Sequence, residues 1–415
     1  MQMQKATVAA LHAARNPRLV LIAGSLIVLV AVGMRHAFGL FLNPITQDMP
    51  SINREVFGFA IALQNLIWGI AQPVAGMIAD RFGSGRVIFI GGVLYAAGLV
   101  YAAASTTYLG FTLGLGVFVG LGLSATTYAV VLGAVGRGSP PERRTTALGI
   151  ASLGGSIGVF LSVPVTVSLI DMMRWPMAFV SLALIALTVC LLAPLLAGRP
   201  EADGPEQSMG AALSEALGHR GYVLLVLGFF VCGFQLGFIG THLPAYLLDR
   251  HLDVWLGGAA LAVIGAANIV GTIACGALGD RFSKKKILAA LYFIRAASVA
   301  VYLALPPSAP STLIFAAVIG LTWLGTVPLT SGIVAQIFGL RYLATLVGVV
   351  FFMHQVGGFL GAWLGGLAFE QTGSYDVIWW SVIALGIIAG LLHWPIDERP
   401  IAVRNRLRPG LYPSG

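Results

Sequence analysis

The chain has 415 residues, of which 58% are hydrophobic and only 10% are charged. Soluble domains carry about 25% charged residues, so this composition excludes an ordinary soluble domain and indicates a membrane protein. The formal net charge of +8 would also suit a nucleic-acid partner, and the positions of the cations decide between the two readings.

Apolar runs of about 20 residues recur along the chain, and each is long enough to cross a hydrocarbon core of about 30 Å. They predict an all-α integral membrane protein in contact with the lipid bilayer. The twelve predicted spans are 19–45, 56–79, 86–106, 109–136, 145–170, 176–197, 222–248, 256–279, 286–305, 311–338, 343–369 and 377–394.

The cations lie mostly on one side of these spans. If the N-terminus is cytoplasmic, nineteen of the 24 lysines and arginines fall in cytoplasmic loops and tails. Only Arg54, Arg174 and Arg250 fall in the opposite loops, and Arg35 and Arg295 lie within spans. The positive-inside rule therefore predicts that both termini are cytoplasmic. The positive net charge then reflects membrane topology, and no nucleic-acid partner is expected. Residues 1–18 lack a cleavage site and are interpreted as preceding an uncleaved first helix.

Span one contains Arg35 and His36 a few residues outside its midpoint. An arginine at the centre of a span costs about 2.5–3.5 kcal/mol, so we expect it to face a water-filled cavity or a partner. The alternative is an arginine held by backbone carbonyls or extended towards the interface. His36 could bind substrate or a proton, although a lone histidine in a span is more often a packed hydrogen-bonding group.

Amides align along span two, where Gln64, Trp68 and Gln72 are spaced four residues apart and Asn65 lies beside them. Such a stripe suits water or a ligand, and interhelical hydrogen bonding within the bundle is an equal alternative. Span four adds small hydroxyl groups and a candidate ligand, Tyr128, which could equally be a packing position.

The second half of the chain offers further polar candidates. Gln235 and His242 lie seven residues apart on one face of span seven, and Asn268 lies in span eight. Arg295 lies nine residues beyond Lys286 in span nine, about 14 Å deep at 1.5 Å per residue. His354 lies in span eleven. Each is predicted as a substrate ligand, with a structural role as the alternative.

Glycines are concentrated in spans five and eleven, where they allow close helix packing. They are Gly149, Gly154, Gly155, Gly158, Gly357, Gly358, Gly361, Gly365 and Gly366. The cysteines Cys190, Cys232 and Cys275 all fall within spans, so no disulfide is expected.

A polar stretch separates two halves of six spans. We predict an N-terminal half at 1–197, a cytoplasmic linker at 198–221, a C-terminal half at 222–398 and a cytoplasmic tail at 399–415. The halves share a motif, GMIADRFGSGR at 76–86 and GALGDRFSKKK at 276–286, with the two acids 200 positions apart. Parallel repeats of this kind place substrate near the membrane midplane.

This duplicated turn resembles the loop signature of the major facilitator superfamily. The resemblance covers essentially the whole chain and implies a two-half, twelve-helix carrier that works by alternating access as a monomer. It implies that span eleven lines the substrate cavity, which favours His354. It also places span nine at the periphery, so Arg295 could serve only to brace the C-terminal half.

The resemblance also assigns a gating role to the duplicated turn. Asp80 and Asp280 are expected to pair near the cytoplasmic ends of helices when the carrier is open outward, with Arg81 and Arg281 joining them and Arg137 as a partner for Asp80. The glycines Gly76 and Gly276 belong to the same motif. The alternative is that these charges act only as topology determinants.

Two runs are similar to bacterial members of the monocarboxylate and oxalate-formate transporter groups: MRHAFGLF at 34–41 and ALQNLIWG at 62–69. Animal monocarboxylate transporters carry an arginine in helix eight where this chain has Thr272. The Gly-Pro antiporter signature of helix five is met only in part, by Gly149, Gly158 and the run 162–164, which disfavours drug efflux.

All sixteen Asp and Glu residues fall in loops, turns or span ends, so the predicted cavity holds cations without a central carboxylate. Such a site attracts an organic anion, because an arginine can bind a carboxylate with two hydrogen bonds. We therefore expect a mono- or dicarboxylate carrier of the cell membrane, with H⁺ as the coupling ion. Drug or metabolite efflux is the alternative.

Functions of other classes fit less well. An intramembrane enzyme would need a metal motif, paired acids or a nucleotide-binding loop, and the sequence has none, so no cofactor or metal is expected. A sensor without transport is a further alternative, although no signalling domain follows span twelve.

Overall fold

The computed structural model describes residues 16–49, 51–52, 54–198 and 207–401. Parts of the predicted N-terminal segment, linker and C-terminal tail lie outside these residues. The described chain forms two compact units that divide between residues 200 and 201.

Within the described residues, twelve helical segments are long and apolar enough to span a membrane, which confirms the predicted all-α, twelve-span fold. Numbered as spans 1 to 12, they are Pro17–Phe41, Val56–Phe82, Ser84–Ala104, Tyr108–Gly138, Pro141–Met172, Trp175–Leu196, Arg220–Asp249, Trp255–Arg281, Lys284–Ala304, Ala309–Phe338, Leu343–Thr372 and Asp376–His393. The chain is therefore a multi-pass membrane protein.

The two units pair their spans in the same way. In the first unit span 1 packs along span 5, span 2 along span 4 and span 3 along span 6; in the second, the pairs are 7 with 11, 8 with 10 and 9 with 12. Each unit also has its own aromatic core. Phe38, Phe41 and Phe179 meet in the first, and Phe238 and Trp379 meet in the second.

Span 4 and span 10 are broken helices, which the sequence analysis did not predict. In span 4 the α-helix Val119–Thr126 ends before Thr127, and a second helix, Tyr128–Gly138, begins after it. In span 10 the helix Ala309–Thr322 is separated from Thr326–Phe338 by three residues. The breaks lie at equivalent places in the two units, since each falls in the fourth span.

Two shorter helices lie outside the spans. Leu42–Asp48 follows span 1. Met209–Gly218 lies within the segment that the sequence analysis treated only as a polar linker. Ser208 caps this second helix by accepting a hydrogen bond from the backbone N–H of Ala211 at 3.2 Å.

The chain following the sixth span of each unit returns to the start of the third span. In the first unit the backbone N–H of Ser84 donates to the carbonyl oxygen of Gly198 at 3.3 Å. In the second unit Glu398 accepts the backbone N–H of Lys285 at 3.0 Å and the hydroxyl of Ser283 at 2.6 Å. A carboxylate at a helix N-terminus is favoured by the helix dipole. The internal repeat therefore extends to the ends of both units.

Glycines allow the closest helix pairs to form, as the sequence predicted. A methyl group on Gly154 or Gly158 would collide with the carbonyl oxygens of Ser25 or Leu29 in span 1. Gly357 and Gly361 lie against span 7 in the same way, at the carbonyl oxygens of Phe230 and Phe234. The small residue is required at each position because backbone lies directly opposite it.

We predict that Gly154→Ala lowers stability by about 1–3 kcal/mol, because span 1 must move away from span 5 to admit the methyl group. Gly265→Ala is the matched control, since no heavy atom lies within 4 Å of a methyl group built there. The measurement is the thermal unfolding midpoint of each purified variant in detergent. Equal midpoints for the two variants would contradict the close packing of spans 1 and 5.

Candidate functional site

Arg35 lies in the last turn of the helix Pro17–Ala37 and is partly exposed. One terminal nitrogen, Nη2, donates to Oδ1 of Asn65 in span 2. The other, Nη1, lies 3.5 Å from Nε2 of His36. The guanidinium carbon lies 5.1 Å from the ring centroid of Trp68, a cation–π contact. The structure thus brings together Arg35, His36 and Asn65, three of the predicted ligand residues.

The hydrogen bonding of Arg35 is incomplete. Its Nε is buried and has no hydrogen-bond partner in the described chain, and the 3.5 Å contact with His36 is long for a hydrogen bond. Arg35 forms no ion pair with any described residue; ion pairs elsewhere in the described chain include Asp80 with Arg137, Asp48 with Arg174 and Asp397 with Arg399. A permanently charged group within span 1 therefore keeps spare donors.

A short polar network joins Arg35 to the break in span 4. The indole Nε1 of Trp68 donates to Oγ1 of Thr127 at 2.9 Å, and Nε2 of Gln72 approaches the same oxygen at 3.4 Å. The Thr127 hydroxyl in turn donates to the carbonyl oxygen of Leu123 at 2.7 Å. The hydrogen bond from its indole N–H therefore holds Trp68 in place beneath the guanidinium of Arg35.

Arg295 in span 9 has the opposite character. It is 2% exposed, and its donors are fully used. Nε donates to Oγ1 of Thr322 at 3.3 Å; Nη1 donates to Oε1 of Gln235 at 3.3 Å and contacts Sγ of Cys232 at 3.4 Å. Nη2 donates to the carbonyl oxygens of Thr322 and Trp323. These five contacts match the five N–H groups of a guanidinium.

The carbonyl groups that Arg295 binds are those left unpaired where span 10 breaks. The end of a helix leaves carbonyl oxygens without intrahelical partners, and a cation there satisfies them. Asn268 serves the other side of the break, because its Oδ1 accepts the backbone N–H of Leu324 at 2.9 Å. Arg295, Gln235 and Asn268 were all predicted as ligands; their geometry favours the structural alternative, and a substrate role stays a prediction.

The remaining predicted ligands differ in how they are held. Gln64 is buried and donates to the carbonyl oxygen of Leu115 at 2.8 Å, and Tyr128 is buried in its own unit. His242 lies 2.7 Å from the carbonyl oxygen of Ala362, so its Nε2 is the donor. His354 packs on the ring of Phe229 with centroids 4.9 Å apart, and its buried Nε2 has no hydrogen-bond partner in the described chain.

The duplicated turn has different surroundings in the two units. Asp80 is buried and pairs with Arg137, whose Nη1 lies 3.3 Å away; Nη2 of Arg137 also donates to Ser84 at 2.5 Å. This is the pairing that the sequence predicted. In the second unit Lys284 donates to Oε1 of Gln336 at 2.8 Å. Gly76 and Gly276 are buried, Asp280 is partly buried, and Arg81 and Arg281 are exposed.

The cysteines are all free and buried. Among the described residues no group of three or more His, Cys, Asp or Glu side chains could hold a metal ion.

Twelve spans in two equivalent six-span units, each with an Asp-Arg turn, define a duplicated polytopic membrane protein. The family model of the Major Facilitator Superfamily matches residues 19–362 and 276–412. The chain belongs to this superfamily, whose members are transporters.

Relatives with curated descriptions agree with this assignment. The uncharacterized MFS-type transporter YcxA of Bacillus subtilis (strain 168) is 26% identical over 371 residues, covering 84% of this chain and 88% of that protein. Human monocarboxylate transporter 11 is 30% identical over 363 residues, covering 83% and 75%. Alignments with several other animal monocarboxylate transporters cover only 55% to 59% of those proteins.

Solved structures show the same fold. A crystal structure of the E. coli fucose:proton symporter FucP matches with a TM-score of 0.70 at 19% identity, covering 91% of this chain and 97% of that one. At this identity the match concerns the fold and carries no information about substrate.

We predict that Arg295→Gln lowers stability by about 3 kcal/mol, since five membrane hydrogen bonds at about 0.6 kcal/mol each are lost or weakened. Arg35→Gln removes the same charge from another span and is the matched comparison; its effect should be much smaller, because fewer bonds are lost. Thermal unfolding in detergent measures both. A larger loss for Arg35→Gln than for Arg295→Gln would contradict the assigned difference between the two arginines.

Proposed function

We propose that this protein is a secondary active carrier, rather than an enzyme, that moves a small organic anion across the cell membrane by alternating access, with H⁺ as the coupled ion. The substrate class is a mono- or dicarboxylate, bound through Arg35. Both termini are cytoplasmic in this proposal, in keeping with the distribution of Lys and Arg.

One observation carries the proposal: of the two arginines within spans, Arg295 has a complete set of acceptors and Arg35 does not. A guanidinium does not lose its proton in proteins, so spare donors at this depth must be satisfied by water or by an anion. A carboxylate offers two oxygens to the same fork. The cation–π contact with Trp68 and the bond to Asn65 orient the fork without neutralising its charge.

The monocarboxylate transporters among the relatives support the anion class at low identity. The fucose symporter among the structural neighbours shows that the same fold serves an uncharged sugar, so the fold itself does not select the substrate. The selection in our proposal therefore rests on Arg35. Efflux of drugs or other metabolites is the alternative, and a ligand screen separates the two.

The screen measures thermal stabilisation of the purified protein by monocarboxylates, dicarboxylates, organic cations and sugars. A ligand that binds only the folded state raises stability in proportion to the logarithm of its concentration over Kd. We expect stabilisation by carboxylates, followed by uptake of the same compounds into proteoliposomes. Stabilisation by organic cations alone would overturn the anion assignment in favour of efflux of cationic compounds.

Substitution of Arg35 tests the proposed charge contact. Arg35→Gln should weaken carboxylate binding by roughly ten- to a hundred-fold, because a charge-assisted hydrogen bond contributes about 1.5–3 kcal/mol. Arg35→Lys should recover part of the affinity, since it keeps the charge without the fork. Binding is measured by titration of protein shown to be folded and monodisperse.

Arg174→Gln is the matched control, because Arg174 is exposed and pairs with Asp48 outside the spans. It removes the same charge and should leave affinity unchanged. Near-native affinity in Arg35→Gln would exclude Arg35 as the anion contact and direct attention to Arg295 or His354.

We also propose that the duplicated turn gates the carrier. Asp80 and Asp280 act as latches at the cytoplasmic ends of their helices, with Arg81, Arg137 and Arg281 as charge partners and Gly76 and Gly276 allowing close packing. The buried pair of Asp80 with Arg137 supports this proposal in the first unit. Breaking a buried pair leaves an uncompensated charge, so the paired conformation loses stability when the acid is removed.

Asp80→Asn should therefore preserve membrane insertion and shift the population towards the inward-open conformation. The measurement is the rate at which single cysteines, introduced at positions proposed to line the substrate pathway, react with a membrane-impermeant reagent added from each side. Asp48→Asn, which alters an exposed pair, is the control. Unchanged labelling from both sides in Asp80→Asn would contradict the latch.

A further inference from the structure

His36 adjoins Arg35 in a geometry that fixes its tautomer. Its ring is exposed, and Nδ1 lies 2.8 Å from the carbonyl oxygen of Val32. A carbonyl oxygen only accepts hydrogen bonds, so Nδ1 carries the proton and donates it. In the neutral ring Nε2 then holds a lone pair, and this nitrogen is the one that lies 3.5 Å from Nη1 of Arg35.

We propose that Nε2 of His36 binds the proton that moves together with the substrate anion, so that His36 and Arg35 form one site for a proton and a carboxylate. The inference rests on the proposed anion transport. It adds the residue that binds the coupled proton and the way in which the proton and the anion share one site. It gives His36, predicted from the sequence as a ligand, the specific role of proton carrier.

The chemistry follows from the contact between the two side chains. When Nε2 is protonated, its N–H faces the N–H groups of Arg35, and two positive charges lie side by side within span 1. Like charges this close disfavour the protonated ring in the empty carrier. A carboxylate that accepts from both Nη1 of Arg35 and Nε2 of His36 removes this repulsion and satisfies both donors.

Proton binding and anion binding therefore favour each other. If the bound anion raises the affinity for the proton by a given factor, the bound proton raises the affinity for the anion by the same factor. The empty site carries the single positive charge of the guanidinium. A bound carboxylate neutralises this charge, and a proton on His36 restores it, so the empty and the loaded site carry the same net charge. One proton and one monocarboxylate then cross together, and their transport is electroneutral.

The surroundings of His36 contain no other group suited to this role. The titratable side chains that interact electrostatically with the Arg35–His36 pair are Tyr95 and Tyr128, and no Asp or Glu of the described chain is among them. The hydroxyl of Tyr95 donates to the carbonyl oxygen of Ala31 at 3.1 Å. Asn65 and Trp68, which contact Arg35, do not titrate. Among the described residues, His36 is therefore the group here whose ring nitrogen can take up and release a proton.

The first experiment measures proton uptake on ligand binding, with the full-length purified protein in weakly buffered detergent solution and a pH-indicator dye. The ligands are pyruvate, lactate and oxalate, added as neutralised salts. Wild-type protein should take up close to one proton per pyruvate or lactate bound at a pH where the empty carrier holds His36 neutral. His36→Gln should bind these anions more weakly and without proton uptake, since its amide can still donate to Val32 but cannot titrate.

The second experiment compares two modes of transport in proteoliposomes. Wild-type protein should accumulate labelled pyruvate or lactate when the outside is made acidic, and should also exchange external for internal anion without a gradient. His36→Gln should lose gradient-driven accumulation, and its exchange should be reduced but still measurable, because the anion loses one donor and keeps its contact with Arg35. His251→Gln is the matched control, because His251 is exposed in the loop after span 7, and it should behave as wild type.

The outcomes separate the two proposals. Binding or transport of none of the three anions by wild-type protein would overturn the proposed function. Anion binding without proton uptake by wild-type protein, or proton uptake that persists in His36→Gln, would overturn the role of His36 and leave anion transport intact. If His36→Gln does not fold, the wild-type stoichiometry decides alone, since zero protons per anion contradicts the inference.

Discussion

A guanidinium in a membrane span keeps its charge and must find acceptors where water is scarce. The structure meets this constraint in two ways. Around Arg295 five contacts from neutral groups surround the cation completely, and it becomes part of the framework of the second unit. Around Arg35 an amide and an aromatic ring hold the side chain in place while its Nε stays without a partner. The complete arrangement favours a structural role, and the incomplete one supports a ligand contact.

The same constraint explains the broken spans. A break in a helix within the membrane exposes backbone groups that lipid cannot satisfy, so side chains must supply the missing bonds. In span 10 Arg295 and Asn268 do so from the two sides of the break. In span 4 the break at Thr127 is linked instead to the indole of Trp68 and the amide of Gln72. The break in span 10 is thus bound by Arg295, the arginine within the spans of the second unit. The break in span 4 does not bind Arg35, which keeps spare donors.

Much of the architecture could be predicted from the sequence, because span length, the repeated Asp-Arg turn and the cation distribution are local or periodic signals. The pairing of Asp80 with Arg137 was expected as part of the gating role that the family resemblance implied, and the two side chains do pair. The glycine contacts of span 5 with span 1 followed from composition, because only backbone can fill the space beside a glycine stripe.

The breaks, the helix Met209–Gly218 and the partners of Arg295 were not predicted. Thr322 is 27 positions from Arg295 and Gln235 is 60 positions away, so their contacts depend on tertiary packing that periodicity does not encode. Gly325 and Pro328 beside the span 10 break were an available signal, since glycine and proline commonly interrupt helices. Amide positions shared a helix face as expected, but periodicity could not tell whether that face meets a neighbouring helix or a ligand.

The central claim is that Arg35 has spare donors which a carboxylate completes. The most direct test compares a carboxylate ligand with its uncharged amide, such as lactate with lactamide, on wild-type protein and on Arg35→Gln. If the carboxylate contacts this guanidinium, wild-type protein should prefer lactate over lactamide by about ten-fold or more, and the preference should largely disappear in the variant. The same preference in both proteins would contradict the claim, because the discrimination of charge would then arise elsewhere.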